Sequence, residues 1–152
     1  MARHPGRWRQ RPLIGTIALA GMVAGISGAA SPVDPTCRVV NTTQGKHFPP
    51  DNGQSLTNAI ATATPGDELA VSGTCTGTYT LDKDLTLTGL STKKSPIATL
   101  DGGKAGSTLT VQAAVTATVT NLKLAGGIGH GNIFVPDRFG GGIYNRGTLT
   151  LP

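Results

Sequence analysis

The sequence predicts an all-β protein in which short strands stack into a solenoid behind one capping helix, and two patterns lead to that fold class. Leu56, Ala59, Ile60 and Ala63 recur at the i, i+3, i+4, i+7 spacing, which places them on one face of a helix. From Leu69 onward the period of the apolar residues changes to two, as expected for strands. The alternating segments DLTLTG, STLTVQ, ATVTNLKLAGG and GTLTLP recur at roughly 20 to 30 residues, a period that indicates a solenoid.

The first 30 residues have the organisation of an export signal. Four arginines precede the uncharged apolar run Leu13–Ile26, and small residues follow before Ser31. Residues 1–30 are therefore predicted to be a cleaved signal peptide, with an uncleaved membrane anchor as the alternative. Residues 31–36 (SPVDPT) are predicted to be a linker and residues 37–152 to be one β domain. The expected location is secreted or cell-surface.

The charge of the chain belongs mainly to that signal. Of the 13 basic residues four lie in residues 1–30, which leaves nine against eight acidic residues and a net charge of +1. A nearly neutral domain gives no support to nucleic-acid binding. No second apolar run of spanning length follows, so no membrane contact is expected once the signal is cleaved.

Two cysteines, Cys37 and Cys75, lie in the part of the chain that follows the signal. An even pair in an exported chain indicates a disulfide, with two free thiols as the alternative. Closing a loop of this length stabilises the fold by about 4 kcal/mol in the chain-entropy model.

The other elements are predicted in chain order from turn residues and periodicity. The first strand covers 37–41, and 42–52 is predicted to be a loop because it contains Gly45 and two prolines. Ser55 is the predicted N-cap of the helix, which ends before Pro65-Gly66. A strand through 67–71 is expected to break at Gly73. Further strands are predicted at 78–81, 85–88, 97–100, 107–111, 116–124, 143–145 and 148–151, with a projecting loop at 126–142.

Two residues, Asn121 and Pro152, depart from the alternating strand pattern, and each leads to a separate prediction. Asn121 breaks the alternation of 116–124 and is predicted to lie in the left-handed region at a bulge or corner. Pro152 follows a strand with no polar cap after it. We expect either that the chain is truncated and further coils follow, or that another chain covers the open end.

Several of these segments together resemble a known family. The helix 55–63, Pro65-Gly66-Asp67, the strand that ends at Cys75, the segment 83–89 (KDLTLTG) and the segment 140–145 (GGGIYN) resemble exported bacterial proteins with right-handed parallel β-helix repeats, similar to the pectin lyase superfold. The resemblance covers about residues 37–151. It implies a helix that plugs the N-terminal mouth of a right-handed parallel β-helix. Such proteins divide into polysaccharide-cleaving enzymes and surface or adhesin-like proteins.

The residues offer little support for catalysis. Asp82 and Asp84 flank Lys83 at a predicted corner, so a solvated turn is expected there and not a calcium site. Asp67 and Asp101 are expected to accept local hydrogen bonds in turns. His130, Asp137 and Arg138 share the projecting loop, but one residue of each type forms no ligand spacing. No catalytic, cofactor or metal site is predicted.

The predicted function is accordingly a non-catalytic one. Stacked, outward threonines would form a flat polar face for a structural, adhesive or glycan-contacting role, and the expected partner is a cell-surface glycan or polysaccharide. The alternative is that the chain is the N-terminal part of a pectin lyase-like, polysaccharide-cleaving enzyme. The few aromatic residues, among them Tyr79 and Tyr144, offer little surface for stacking on sugar rings.

Overall fold

The computed structural model describes residues 37–129 and 141–152, which contain one helix and eleven strands. The predicted signal peptide, the predicted linker and most of the projecting loop lie outside these residues. The elements in chain order are β1 (Cys37–Asn41), β2 (Lys46–Asp51), α1 (Gln54–Thr62), β3 (Asp67–Thr76), β4 (Tyr79–Leu81), β5 (Leu85–Leu90), β6 (Ala98–Asp101), β7 (Leu109–Val111), β8 (Thr116–Thr120), β9 (Leu122–Ala125), β10 (Ile143–Asn145) and β11 (Thr148–Thr150).

The strands form a mixed eight-stranded sheet and a separate three-stranded parallel sheet. The order in the large sheet is β11-β8-β5-β3-β1-β2, and β6 joins it by pairing with β3 and β9. The small sheet has the order β10-β7-β4. β1 runs antiparallel to both β2 and β3, whereas the other pairings are parallel.

This arrangement contradicts the predicted fold class. The expected all-β fold, a right-handed parallel β-helix with an N-terminal capping helix, is wrong, because the described strands form a mixed sheet and a second, smaller sheet. Truncation after Pro152 stays a prediction. The fold-class prediction failed for a physical reason. A period of two shows that a segment is extended and which side is apolar, but it contains no information about strand direction or neighbours.

β2 was predicted to be a loop, and this expectation is also wrong. The chain turns at Gly45, whose φ of 65° is left-handed, and returns antiparallel to β1 with Val39 opposite Phe48. β2 has β1 as its only neighbour among the strands of the described ranges. An edge strand tolerates Pro49 and Pro50 because its outer side needs no N–H donors.

The helix lies where it was predicted, but its N-terminus is capped differently. Leu56, Ala59, Ile60 and Ala63 are buried, which confirms the predicted apolar face. Ser55 is not the N-cap: that position is Gly53, which has no side chain to accept a hydrogen bond. Asp51 Oδ1 accepts from the backbone N–H groups of Gly53 at 2.7 Å and Ser55 at 3.0 Å and so supplies the missing cap.

The core consists of side chains that point inward from adjacent strands in register. Leu69, Leu87 and Val119 are aligned on β3, β5 and β8, and each is almost fully buried. The predicted inward orientation of the leucines in 85–88 is therefore confirmed. Burial of each such side chain stabilises the fold by about 1.5 to 3 kcal/mol.

Gly73 and Asn121 both redirect the chain. β3 was predicted to break at Gly73, and this prediction is wrong. β3 continues to Thr76, pairing with β5 before the glycine and with β6 after it. Gly73 has a φ of 79°, which allows this bend. Asn121 has a φ of 54°, which confirms the predicted left-handed corner between β8 and β9.

Candidate functional site

The outward side of β5, β8 and β11 presents a regular array of threonines, which we call the threonine face. Thr86, Thr118 and Thr150 are aligned in one row across the three strands. The shorter rows Thr88–Thr120 and Thr116–Thr148 lie on either side of it. Neighbouring hydroxyls are spaced by about 4.8 Å across the strands and about 6.6 Å along them. None of the seven threonines is buried: the two on β5 and the last two on β8 are half-buried, and the other three are exposed.

Threonine suits this position for two reasons. Its branched Cβ favours extended backbone, and its hydroxyl remains available on the solvent side of a half-buried sheet. The side chains on the opposite side of the same strands, such as Leu87 and Val119, fill the core. The alternation that builds the core therefore also produces the threonine face.

Carboxylates border the threonine face. Glu68 lies beside Thr86 on β3, and its Oε1 accepts from Thr88 Oγ1 at 2.9 Å. At another border Asp84 Oδ1 accepts from the backbone N–H of Thr116 at 2.6 Å. Both carboxylates repel an anionic ligand, so the electrostatics favour an uncharged one.

A second concave surface lies between α1 and β4. This cleft has a volume of about 300 Å³ and is lined by Thr57, Ile60, Ala61, Thr78, Tyr79, Thr80 and Asp82. Tyr79 forms a buried part of its wall, and burial together with the nearby charge of Asp51 raises the pKa of Tyr79 to about 12. A tyrosine with this pKa stays neutral at physiological pH and cannot act as a base there.

Asp82 and Asp84 were expected to lie in a solvated turn, and in the structure the two carboxylates bind different partners. Asp82 pairs with Lys83 Nζ at 3.3 Å, with a largely exposed carboxylate. Lys83 also donates to the carbonyl of Ile60 in α1 at 3.1 Å. Asp84 bonds the backbone of the next strand at Thr116. The two carboxylates therefore hold different segments and do not converge on one ligand.

Asp67 is a buried residue at the centre of a hydrogen-bond cluster, and this role goes beyond the turn-capping role expected for it. Its carboxylate accepts from the backbone N–H of Thr64 at 2.8 Å, from Asn41 Nδ2 at 2.7 Å and from Gln44 Nε2 at 2.6 Å. The bond from Thr64 and then that from Asn41 lower the pKa of Asp67 below its ordinary value. The cluster joins the β1–β2 hairpin, the end of α1 and the start of β3.

The other acidic residues of the described part also have local partners. Burial alone would raise the pKa of Asp51, but the backbone N–H groups of Ser55 and Gly53 bring it below its ordinary value. Asp101 Oδ1 accepts from the backbone N–H of Gly103 at 3.0 Å, as expected for a turn. In residues 37–129 and 141–152, no three His, Cys, Asp or Glu side chains lie close enough to hold a metal ion.

Of the histidines and loop residues considered in the sequence, His47 alone lies in the described ranges. His47 is exposed on β2, opposite Val40. His130, Asp137 and Arg138 lie outside the described residues, so their predicted grouping stays a prediction. No helix in the described ranges combines the length and the hydrophobicity needed to cross a bilayer.

The predicted disulfide between Cys37 and Cys75 is present and joins β1 to the far part of β3. Both cysteines are fully buried. The hydroxyl of Ser55 lies 3.1 Å from Cys37 Sγ, and it must be the donor because a disulfide sulfur has no hydrogen. The disulfide is consistent with an extracellular or otherwise oxidising environment.

Comparison with protein-family models, with curated proteins and with solved structures finds no match for this chain. Of the surfaces described above, the threonine face was expected from the alternation of the sequence, whereas the cleft was not. The cleft requires the position of α1 against β4, which no local pattern contains.

Proposed function

We propose that this protein is an exported, non-catalytic module that contacts a neutral glycan or polysaccharide through the threonine face, in an adhesive or structural role at the cell surface or outside the cell. One observation carries the proposal: the register that aligns Thr86, Thr118 and Thr150 across three strands. Such a row repeats one hydroxyl and one methyl group at the strand spacing. A polymer of identical sugar units offers a matching repeat of hydroxyls and C–H groups.

Two further features support this reading. The disulfide suits a protein that works in an oxidising environment, as an exported module does. The acidic residues of the described part are occupied by capping, turn and inter-strand bonds, and this favours a binding role over acid and base chemistry. Glu68 and Asp84 at the borders of the face favour a neutral polymer over an anionic one.

The test is binding to immobilised polysaccharides by the chain recovered from an oxidising compartment. The triple variant Thr86→Val, Thr118→Val, Thr150→Val removes three hydroxyls and retains the branched shape that strands prefer. We expect its affinity for a neutral polysaccharide to fall at least about tenfold, because each net hydrogen bond contributes about 0.5 to 1.5 kcal/mol.

The matched control carries Thr57→Val, Thr78→Val and Thr80→Val in the cleft between α1 and β4, and its affinity should equal that of the unmodified chain. The proposal is wrong if no neutral polysaccharide binds. It is equally wrong if the cleft variant loses affinity and the triple variant on the face does not.

A further inference from the structure

The threonine face repeats in two directions, along the strands and across them. The row Thr86–Thr118–Thr150 crosses three strands, and the rows Thr88–Thr120 and Thr116–Thr148 run parallel to it. Neighbouring rows lie two residues apart on each strand, a separation of about 6.6 Å. A single polymer chain that follows the central row does not account for the four threonines of the other two rows.

The threonines lie close enough together to form one continuous surface. Thr86, Thr88, Thr118 and Thr120 form a block of four on β5 and β8, and all four are half-buried. Residues paired across neighbouring strands are about 4.8 Å apart, so these side chains partly cover one another. All seven positions carry the same side chain, so the tips lie at similar heights above the backbone. An array of equal side chains has neither a groove to enclose a single chain nor a step to exclude a planar ligand.

The chemistry of the threonine face is as uniform as its shape. Each member presents one hydroxyl and one methyl group, and the carboxylates next to the array, those of Glu68 and Asp84, lie at its borders. Within the described ranges, Thr88 is the one member whose hydroxyl donates to another protein group, Glu68 Oε1 at 2.9 Å. The other six hydroxyls are therefore available to a ligand, and they belong to all three rows.

The strength of hydrogen bonds favours a ligand that contacts all three rows. One net hydrogen bond contributes about two- to tenfold to affinity. Three such bonds along the central row give about a thousandfold at most, which corresponds to a dissociation constant of about 1 mM, and the ordering of a flexible chain weakens it further. A surface whose sugar units are already fixed in place loses little freedom on binding, and it can contact the outer rows as well.

We propose that the ligand of the threonine face is the ordered surface of a crystalline neutral polysaccharide, in which parallel chains lie side by side, and not a single soluble chain. The three rows then contact neighbouring chains of the crystal at once. This inference rests on the proposed function and names its ligand more closely. A soluble glycan that binds the face would satisfy the proposed function, but it would not satisfy the inference.

The first test compares one polysaccharide in three physical forms. Microcrystalline cellulose and microcrystalline chitin are the probes, and each is compared with its acid-swollen form and its soluble oligosaccharides. We expect the full chain to bind one crystalline form at least about tenfold more tightly than the swollen form or the oligosaccharides, because only the crystal presents fixed neighbouring chains. Equal affinity for the three forms would refute the inference and leave the proposed function intact. Absence of binding to both crystals would also refute it, and binding to soluble neutral polysaccharides then decides the proposed function separately.

The second test measures the contribution of the outer rows. The variant removes three outer hydroxyls and keeps the whole central row, and it carries Thr116→Val, Thr120→Val and Thr148→Val. Its affinity for the crystalline probe should fall at least about tenfold, whereas its weak affinity for soluble oligosaccharides should not change. The cleft variant serves as the matched control because it also replaces three threonines by valine, and an unchanged circular dichroism spectrum shows that each variant is folded. Equal losses for the crystalline and soluble forms, or no loss for either, would overturn the inference.

Discussion

Removal of the disulfide is the perturbation whose size the structure determines most directly. Cys37 and Cys75 are separated by 38 positions. Opening a loop of that length costs about 4 kcal/mol at 25 °C in the chain-entropy model. Domains have total stabilities of only about 5 to 15 kcal/mol, so this is a large share. For a domain of this size, the loss corresponds to a fall in melting temperature of roughly 15 °C.

The variant for this test is Cys37→Ala with Cys75→Ala, since both sites are fully buried and apolar replacements avoid new unsatisfied groups. Thermal unfolding followed by circular dichroism should show the shift at neutral pH. The unmodified chain should also resist dithiothreitol while folded and become reducible only as it melts. A double variant that melts within a few degrees of the unmodified chain would refute the reasoning, as would rapid reduction of the native chain.

Further predictions concern the core, the close contact of two strands and the buried carboxylate. Leu87→Ala should reduce the free energy of unfolding by about 2 to 5 kcal/mol, whereas Leu90→Ala, at a site that is 47% exposed, should have a much smaller effect in the same urea titration. Gly89→Ala should destabilise by roughly 1 to 3 kcal/mol because its Cβ would overlap the carbonyl oxygen of Asn121, and Gly142→Ala, where a Cβ has room, serves as its control. Asp67→Asn should weaken the dependence of the free energy of unfolding on pH in the acid range. The folded pKa of Asp67 lies below its unfolded value, so its contribution is present above about pH 4 and is lost as the pH falls further. Parallel curves for variant and unmodified chain between pH 7 and pH 3 would contradict that role.

Residue spacing and composition predicted the helix, the buried sides of the strands and the disulfide. The spacing of Leu56, Ala59 and Ile60 indicates the helix because a buried face must recur every 3.6 residues. The burial of Leu85 and Leu87 follows from alternation in the same way. The disulfide was predictable because two cysteines in a chain that is predicted to be exported have few other roles.

The features that were missed depend on partners distant in sequence or on competition between neighbours. β2 (KHFPPD) has one buried apolar side chain and no apolar alternation, so only its pairing with β1 reveals it as a strand. Ser55 has the chemistry of an N-cap, but Asp51 reaches the same N–H groups and Ser55 faces the disulfide. The fold class was wrong because strand direction and sheet order follow from tertiary pairing, which alternation does not encode.

The most direct test of the central claim is to map which backbone amides respond when a neutral polysaccharide is added to the isotopically labelled chain. We predict that nuclear magnetic resonance shifts will concentrate on β5, β8 and β11, on both sides of the row formed by Thr86, Thr118 and Thr150. Shifts confined to α1 and β4 around the cleft, with the three strands unchanged, would contradict the claim.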